Sequence, residues 1–161
     1  MQIEGCFVLH LSRSLTIPAY EGRLLNEMKL VIIPVKSVLP DMIAMKRGCI
    51  IAISSALCRA PVSGFSTLSV SKAALESFIR ALAAEVGPLG VRVNAVEASL
   101  TETDNSAVVP NRQPEALIEW IPLRRLGKPN DVAGAVTFLA SELSSLVNGA
   151  TIPVNGGQIM Y

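Results

Sequence analysis

The sequence carries little charge and few side chains that bind metal ions. Charged residues make up 17% of its 161 residues and the formal net charge is +1, which gives no electrostatic basis for binding a nucleic acid or an anionic membrane. His10 is the single histidine, and the cysteines Cys6, Cys49 and Cys58 form no C-x-x-C pair. A zinc site needs several such ligands at close spacing, so the sequence predicts no metal site. The small net charge predicts no nucleic-acid partner.

Long apolar runs and targeting signals are also absent. The most lipid-like stretch, residues 30–35, is interrupted by Pro34 and is far shorter than the roughly 20 residues that cross a membrane. The first residues lack the basic segment and the apolar core of a secretory signal. We therefore expect a cytoplasmic protein with reduced thiols and no membrane partner.

The pattern of apolar residues predicts a single α/β domain over residues 1–161. Half of the residues are apolar, and short apolar runs alternate with helical patterns, as in a parallel sheet covered by helices. Glu76 and Arg80 are predicted to form an exposed i,i+4 pair on one helix. Pro34 and Pro40 are predicted kink or stop points. The predicted strands are residues 6–11, 48–55, 91–96 and 150–154, and the predicted helices are residues 20–45, 66–86 and 131–143.

Several short motifs occur in a fixed order along the chain. They are ISS at 53–55, SKAAL at 71–75, VRVNAV at 91–96, RLGKP at 125–129, FLAS at 138–141, and GAT followed by GG between 149 and 157. Each motif is weak alone, but their order and spacing together are specific. From about residue 38 to residue 157 the chain resembles the carboxyl-terminal half of the short-chain dehydrogenase/reductase family.

The resemblance implies a truncated Rossmann-like, doubly wound fold. We expect a short parallel sheet of about four strands with helices on both faces. Residues 6–11 would lie beside residues 48–55, since a crossover between parallel strands is almost always right-handed. The outer edge of that first strand would be unprotected, which favours association with another chain.

The resemblance also implies catalytic positions, one of which is altered. In the family a serine, a tyrosine and a lysine act together on a carbonyl or an alcohol, and the tyrosine hydroxyl transfers the proton. Lys72 matches the lysine and Ser55 matches the serine. Leu68 stands where the tyrosine belongs, four residues before Lys72. Leucine has no ionisable group, so the proton-transfer residue is missing.

The cofactor positions of the family are only partly matched. The glycine-rich turn that faces the pyrophosphate is missing, so no NAD(P) cofactor is expected. Thr103 matches a threonine that contacts the nicotinamide carboxamide, and we interpret it as vestigial. Glu97 either places a negative charge near the site or is an exposed loop residue. The family's helix asparagine could correspond to Asn26, with Lys29 competing for that place.

Three functional hypotheses follow from the resemblance. The favoured one is a binding or scaffold subunit without redox activity. The second is an enzyme with altered chemistry, such as dehydration or cyclisation, that uses Ser55 and Lys72 on a small carbonyl compound. The third is a half-oxidoreductase completed by another chain. A homo-oligomer through the helices at 20–45 and 66–86 is expected, and a small-molecule ligand remains open.

Overall fold

The sheet has three parallel strands within the part of the chain that the structure describes. The structure is a computed structural model that describes residues 16–104 and 118–160. Strands β1 (Gly48–Ser55), β2 (Val91–Ala98) and β3 (Thr151–Val154) lie in the order β1-β2-β3. The predicted parallel α/β class is therefore confirmed. The predicted strand at residues 6–11 lies outside the described residues, and the fourth strand stays a prediction.

Helix α1 (Ile17–Ala44) is continuous through both of its internal prolines. The sequence predicted a kink or a stop at Pro34 and Pro40. Both prolines are exposed, so carbonyl groups that lose an N–H partner there can bond water. Val35, the residue after Pro34, is buried against the sheet. Packing of the apolar face therefore outweighs the local cost of the two prolines.

Helix α2 (Ser66–Val86) has the bounds and the buried face that its periodicity predicts. The buried side chains recur at helical spacing and form the core with Val93 and Ala95 of β2; they are Leu75, Ile79, Leu82, Ala83 and Val86. A short 3-10 turn, Gly87–Leu89, follows the helix and ends at Gly90. Gly90 has φ +84° and a Cβ there would lie 2.3 Å from the Lys46 carbonyl oxygen, so this turn requires glycine.

The central strand β2 is buried over most of its length, since it pairs with a strand on each side and helices pack on both of its faces. It extends two residues beyond the predicted end at Val96. Ser55 of β1 aligns with Ala98 of β2, which aligns in turn with Val154 of β3. The carboxyl ends of the three strands thus meet at one edge of the sheet, where ligands bind in open parallel sheets.

The two faces of the sheet are covered by different helices. Helices α1 and α2 pack against the buried side chains Ile50 and Ala52 of β1. Helix α3 (Pro129–Ala140) contacts all three strands, and its Leu139 carbonyl accepts a hydrogen bond from Cys49, whose side chain points to the other face. Among the described residues, no helix combines the length and the apolar character needed to cross a bilayer.

Candidate functional site

Ser55 and Lys72 both lie at the carboxyl end of β1. Ser55 is the last residue of the strand, and its side chain accepts a hydrogen bond of 3.3 Å from the Leu57 amide in the following 3-10 turn. Lys72 is in the second turn of α2, and its ammonium donates a hydrogen bond of 2.8 Å to the Ile53 carbonyl. The two residues that the motifs predict are thus placed around the last three residues of one strand.

The carboxylate of Glu27 contacts the ammonium of Lys72, a pairing that the sequence analysis did not find. Glu27 lies on α1, and the side chains of Glu27 and Lys72 are only 12% and 15% exposed. Asn26 and Lys29, the two candidates from the resemblance, are both exposed. The pair joins residues 45 positions apart, and only the packing of α1 beside α2 brings them together.

Leu68 is half-buried one helical turn before Lys72. A phenol does lie near this end of α2, since the Tyr20 hydroxyl donates to the Ser66 side chain at 2.8 Å. Ser66 precedes Lys72 by six residues, which is about 9 Å along a helix. Tyr20 is therefore bound at the start of α2 and does not occupy the position of Leu68.

Two buried carboxylates share one arginine beside this site. Arg59 donates to Glu76 on α2 at 3.0 Å and to Glu97 on β2 at 2.9 Å, and the Ser54 hydroxyl donates to Glu76 at 2.7 Å. Glu76 was predicted to be exposed and paired with Arg80, but it is buried and its contact with Arg80 is 3.8 Å. Glu97 is completely buried at the end of a strand, so the exposed-loop alternative is wrong.

Cys58 lies next to this network in the turn after β1. Its Sγ is 3.6 Å from the Ser54 hydroxyl oxygen. Burial raises the pKa of the Cys58 thiol, and the hydrogen bond with Ser54 opposes that change only in part. A thiol whose pKa is raised stays protonated at neutral pH and is a poor nucleophile.

A cavity lies at the ends of β2 and β3. It has a volume of about 610 Å³, and its lining includes Ser99, Leu126, Val154 and Asn155. Ser55 and Lys72 do not line this cavity. Thr103 is exposed in the loop beyond β2 and does not line it either. The cavity and the predicted catalytic positions therefore lie at the same edge of the sheet, but the catalytic positions are outside the cavity.

An ion pair closes one side of the cavity. Arg125 donates two hydrogen bonds, of 2.6 and 2.9 Å, to the carboxylate of Asp131, which also accepts the Lys128 amide at 2.7 Å. The hydrogen bonds from Arg125, followed by that from Lys128, lower the pKa of Asp131 to about 2. The Asp131 carboxylate is thus already hydrogen-bonded at the beginning of α3 and is not available as a proton acceptor.

Comparison with known proteins identifies the region that this chain shares with others. The family model described as enoyl-(acyl carrier protein) reductase matches residues 29–158. The chain is 44% identical over 125 residues to the 3-oxoacyl-(acyl-carrier-protein) reductase FabG of Pseudomonas aeruginosa, covering 78% of this chain and 51% of that protein. It is 38% identical over 124 residues to human dehydrogenase/reductase SDR family member 4, covering 76% and 45%. The chain thus spans about half the length of these curated relatives.

Solved structures match over nearly the whole described fold. An oxidoreductase of the short-chain dehydrogenase/reductase family from Burkholderia thailandensis superposes with a TM-score of 0.84 at 34% identity, covering 91% of this chain and 58% of that one. A structure titled as a putative NAD(P)-dependent gluconate 5-dehydrogenase from Beutenbergia cavernae, with bound NADP, matches with a TM-score of 0.83 at 28% identity, covering 89% and 59%.

No NAD(P) cofactor was expected for this chain, although the family that it resembles uses one. The bound NADP of the Beutenbergia cavernae protein, whose fold this chain shares, contradicts that expectation. That expectation was wrong because it relied on the glycine-rich turn, which belongs to the first strand of the family's fold and is not in the shared region. The fold that this chain shares with that protein therefore occurs with bound NADP. The matches over residues 29–158 and the superposed fold show that this chain belongs to the short-chain dehydrogenase/reductase family.

Proposed function

We propose that this chain is a binding or scaffold subunit of the short-chain dehydrogenase/reductase type, without nicotinamide-linked redox activity by itself. The observation that carries the proposal is Leu68, four residues before Lys72 on the same helix. A carbonyl that becomes an alcohol must take up a proton on its oxygen, and a leucine side chain has none to give at any pH. Tyr20 on the neighbouring helix α1 does carry a phenol, but its hydroxyl is hydrogen-bonded to Ser66.

The remaining groups of the site suit binding better than proton transfer. Lys72 could hold the ribose of a nicotinamide cofactor, Thr103 its carboxamide, and Ser55 could donate a hydrogen bond to a carbonyl oxygen. A nicotinamide cofactor bound to a family enzyme would supply a hydride in its reduced form and accept one in its oxidised form. Since Ser55 and Lys72 lie at one strand end, a small carbonyl or alcohol compound is the ligand class that we propose.

The proposal is tested by replacing Leu68. Wild-type protein, Leu68→Tyr and a Leu68→Phe control are incubated with NADPH and a panel of small aldehydes and ketones, and NADPH consumption is followed. We expect no consumption by the wild type or by Leu68→Phe, which has the ring but lacks the hydroxyl. A restored general acid contributes roughly 10²–10⁴-fold in rate, so any increase in NADPH consumption should appear in Leu68→Tyr. Wild-type consumption that disappears in Ser55→Ala and in Lys72→Met would refute the proposal.

A second candidate function is a half-oxidoreductase that is completed by another chain. Between α1 and β1 the structure has an apolar cavity of about 250 Å³, lined in part by Leu30, Val38, Met42 and Ile51. In the described sheet β1 pairs with β2 alone, which leaves its other edge for a further strand. Sedimentation of this chain mixed with a full-length family member tests the idea. A mixed complex supports it, and two independent species contradict it.

A further inference from the structure

We infer that Glu27 is a positioning residue for Lys72, which fixes the lysine ammonium at the end of β1 and offsets its charge. The Glu27 carboxylate contacts the ammonium, which also donates a hydrogen bond of 2.8 Å to the Ile53 carbonyl. The inference rests on the proposed function in one respect, namely that Lys72 belongs to the ligand-binding site. It adds a residue that neither the motifs nor the resemblance assigned.

Two side-chain contacts fix the alignment of α1 relative to α2 along this site. The first joins Tyr20 to Ser66 where both helices begin. The second joins Glu27 to Lys72, seven residues further along α1 and six residues further along α2. These separations correspond to about 10 and 9 Å of helix, so the helices run in the same direction and Glu27 stays opposite Lys72.

The environment of the pair limits the competition from water. The side chains of Glu27 and Lys72 are 12% and 15% exposed, whereas exposed ion pairs are weakened by solvent and by salt. A lysine stem is flexible, and an ammonium without fixed partners would adopt several positions. Contact with Glu27 and with the Ile53 carbonyl holds the ammonium in one position, next to the end of β1 at Ser55.

The pairing changes what Lys72 can offer to a ligand. An ammonium has three N–H donors, and the bonds to Glu27 and Ile53 use two of them. Lys72 can therefore give a ligand one hydrogen bond, and the carboxylate offsets the positive charge. We infer that Glu27 makes the site less favourable for anionic groups and more favourable for a ligand that offers Lys72 a neutral acceptor.

The reactivity of the Lys72 amine tests this inference without any cofactor. The folded protein is treated with a low concentration of acetic anhydride, and acetylation at each lysine is measured by mass spectrometry. Lys36 lies exposed on the same helix as Glu27 and serves as the internal reference. The Lys72 side chain is only 15% exposed and its ammonium is bonded to Glu27 and to the Ile53 carbonyl, so we expect Lys72 to react more slowly than the exposed Lys36.

Variants separate positioning from general stability. Glu27→Gln should raise the acetylation of Lys72 several-fold relative to Lys36, and Glu27→Asp should keep it low. Glu21→Gln, an exposed change on α1, should alter neither lysine. A variant that merely unfolds would raise all lysines together. Equal reactivity of Lys72 and Lys36 in the wild type, or a Lys72 that does not respond to Glu27→Gln, would overturn the inference. Neither result bears on NADPH consumption, which tests the proposed function separately.

Discussion

The Nε of Arg59 donates to the completely buried carboxylate of Glu97 at 2.9 Å, which ties the turn after β1 to the end of β2. The same guanidinium donates to Glu76 on α2 at 3.0 Å. One partly exposed cation thus compensates two buried carboxylates from different elements. These contacts hold the strand ends together beside Ser55, so the shape of the site depends on a network outside the predicted catalytic positions.

Replacing Arg59 by methionine should destabilise the fold. The variant keeps the apolar stem but removes a charged hydrogen-bond partner from both Glu76 and Glu97. Removing the partner of a buried charged group costs about 3–5 kcal/mol, and urea unfolding should show a decrease of that size in the free energy of unfolding. Arg80→Met removes only a longer contact of an exposed arginine and should cost about 0–1 kcal/mol. Equal losses in the two variants would contradict this reading of the network.

The ion pair of Arg125 and Asp131 should make stability depend on pH in the acid range. Hydrogen bonds from Arg125 lower the pKa of Asp131 to about 2, below its ordinary value of about 3.9. A carboxyl with a lowered pKa stabilises the fold above the unfolded value, and that contribution is lost as the pH falls through the folded value. Between about pH 4 and pH 2, Asp131→Asn should therefore lose less stability than the wild type in urea titrations.

Arg125→Met is the partner variant for this experiment. It removes the largest cause of the lowered pKa and should flatten the pH dependence in the same direction as Asp131→Asn. If Arg125→Met kept the steep loss of the wild type, the hydrogen bond from the Lys128 amide would be the sufficient cause instead.

Two glycine-to-alanine changes should have opposite effects on stability. Gly90 has a positive φ and a Cβ there would meet the Lys46 backbone, so Gly90→Ala should cost at least about 1–2 kcal/mol. Gly134 lies inside α3 and a Cβ there would meet nothing within 4 Å. Gly134→Ala should stabilise the protein by about 0.5–1 kcal/mol. Thermal melts of the two variants give the signs directly, and a gain for Gly90→Ala would show that the turn tolerates a side chain.

Apolar side chains on α1 predict self-association through α1 and α2. Leu30 and Ile33 are 72% and 61% exposed in the single chain. Light scattering at low micromolar concentration should give about twice the 17.1 kDa mass of one chain. Leu30→Glu should lower that mass towards one chain, whereas Leu143→Glu, at a leucine that is 84% exposed shortly after α3, should leave it unchanged. A wild-type protein with the mass of one chain would contradict the prediction.

Local patterns were sufficient where neighbours along the chain decide the structure. The apolar periodicity and the Gly87-Pro88 signal predicted both ends of α2, and the apolar run from Gly48 predicted β1 residue by residue. Motif spacing placed Ser55 and Lys72 at one strand end, because parallel strands and their following helices bring such positions together. Residue type alone established that Leu68 cannot transfer a proton.

Tertiary structure decided which charges are buried and which residues meet. Glu76 follows a helical pattern typical of an exposed ion pair, yet the Ser54 hydroxyl and Arg59 enclose it. Glu27 meets Lys72 only because α1 lies beside α2 in one register. Helix α1 passes through Pro34 because the apolar face around Val35 packs on the sheet. Each of these contacts joins segments far apart in the chain, where the free energy depends on packing geometry and not on any spacing that the sequence displays.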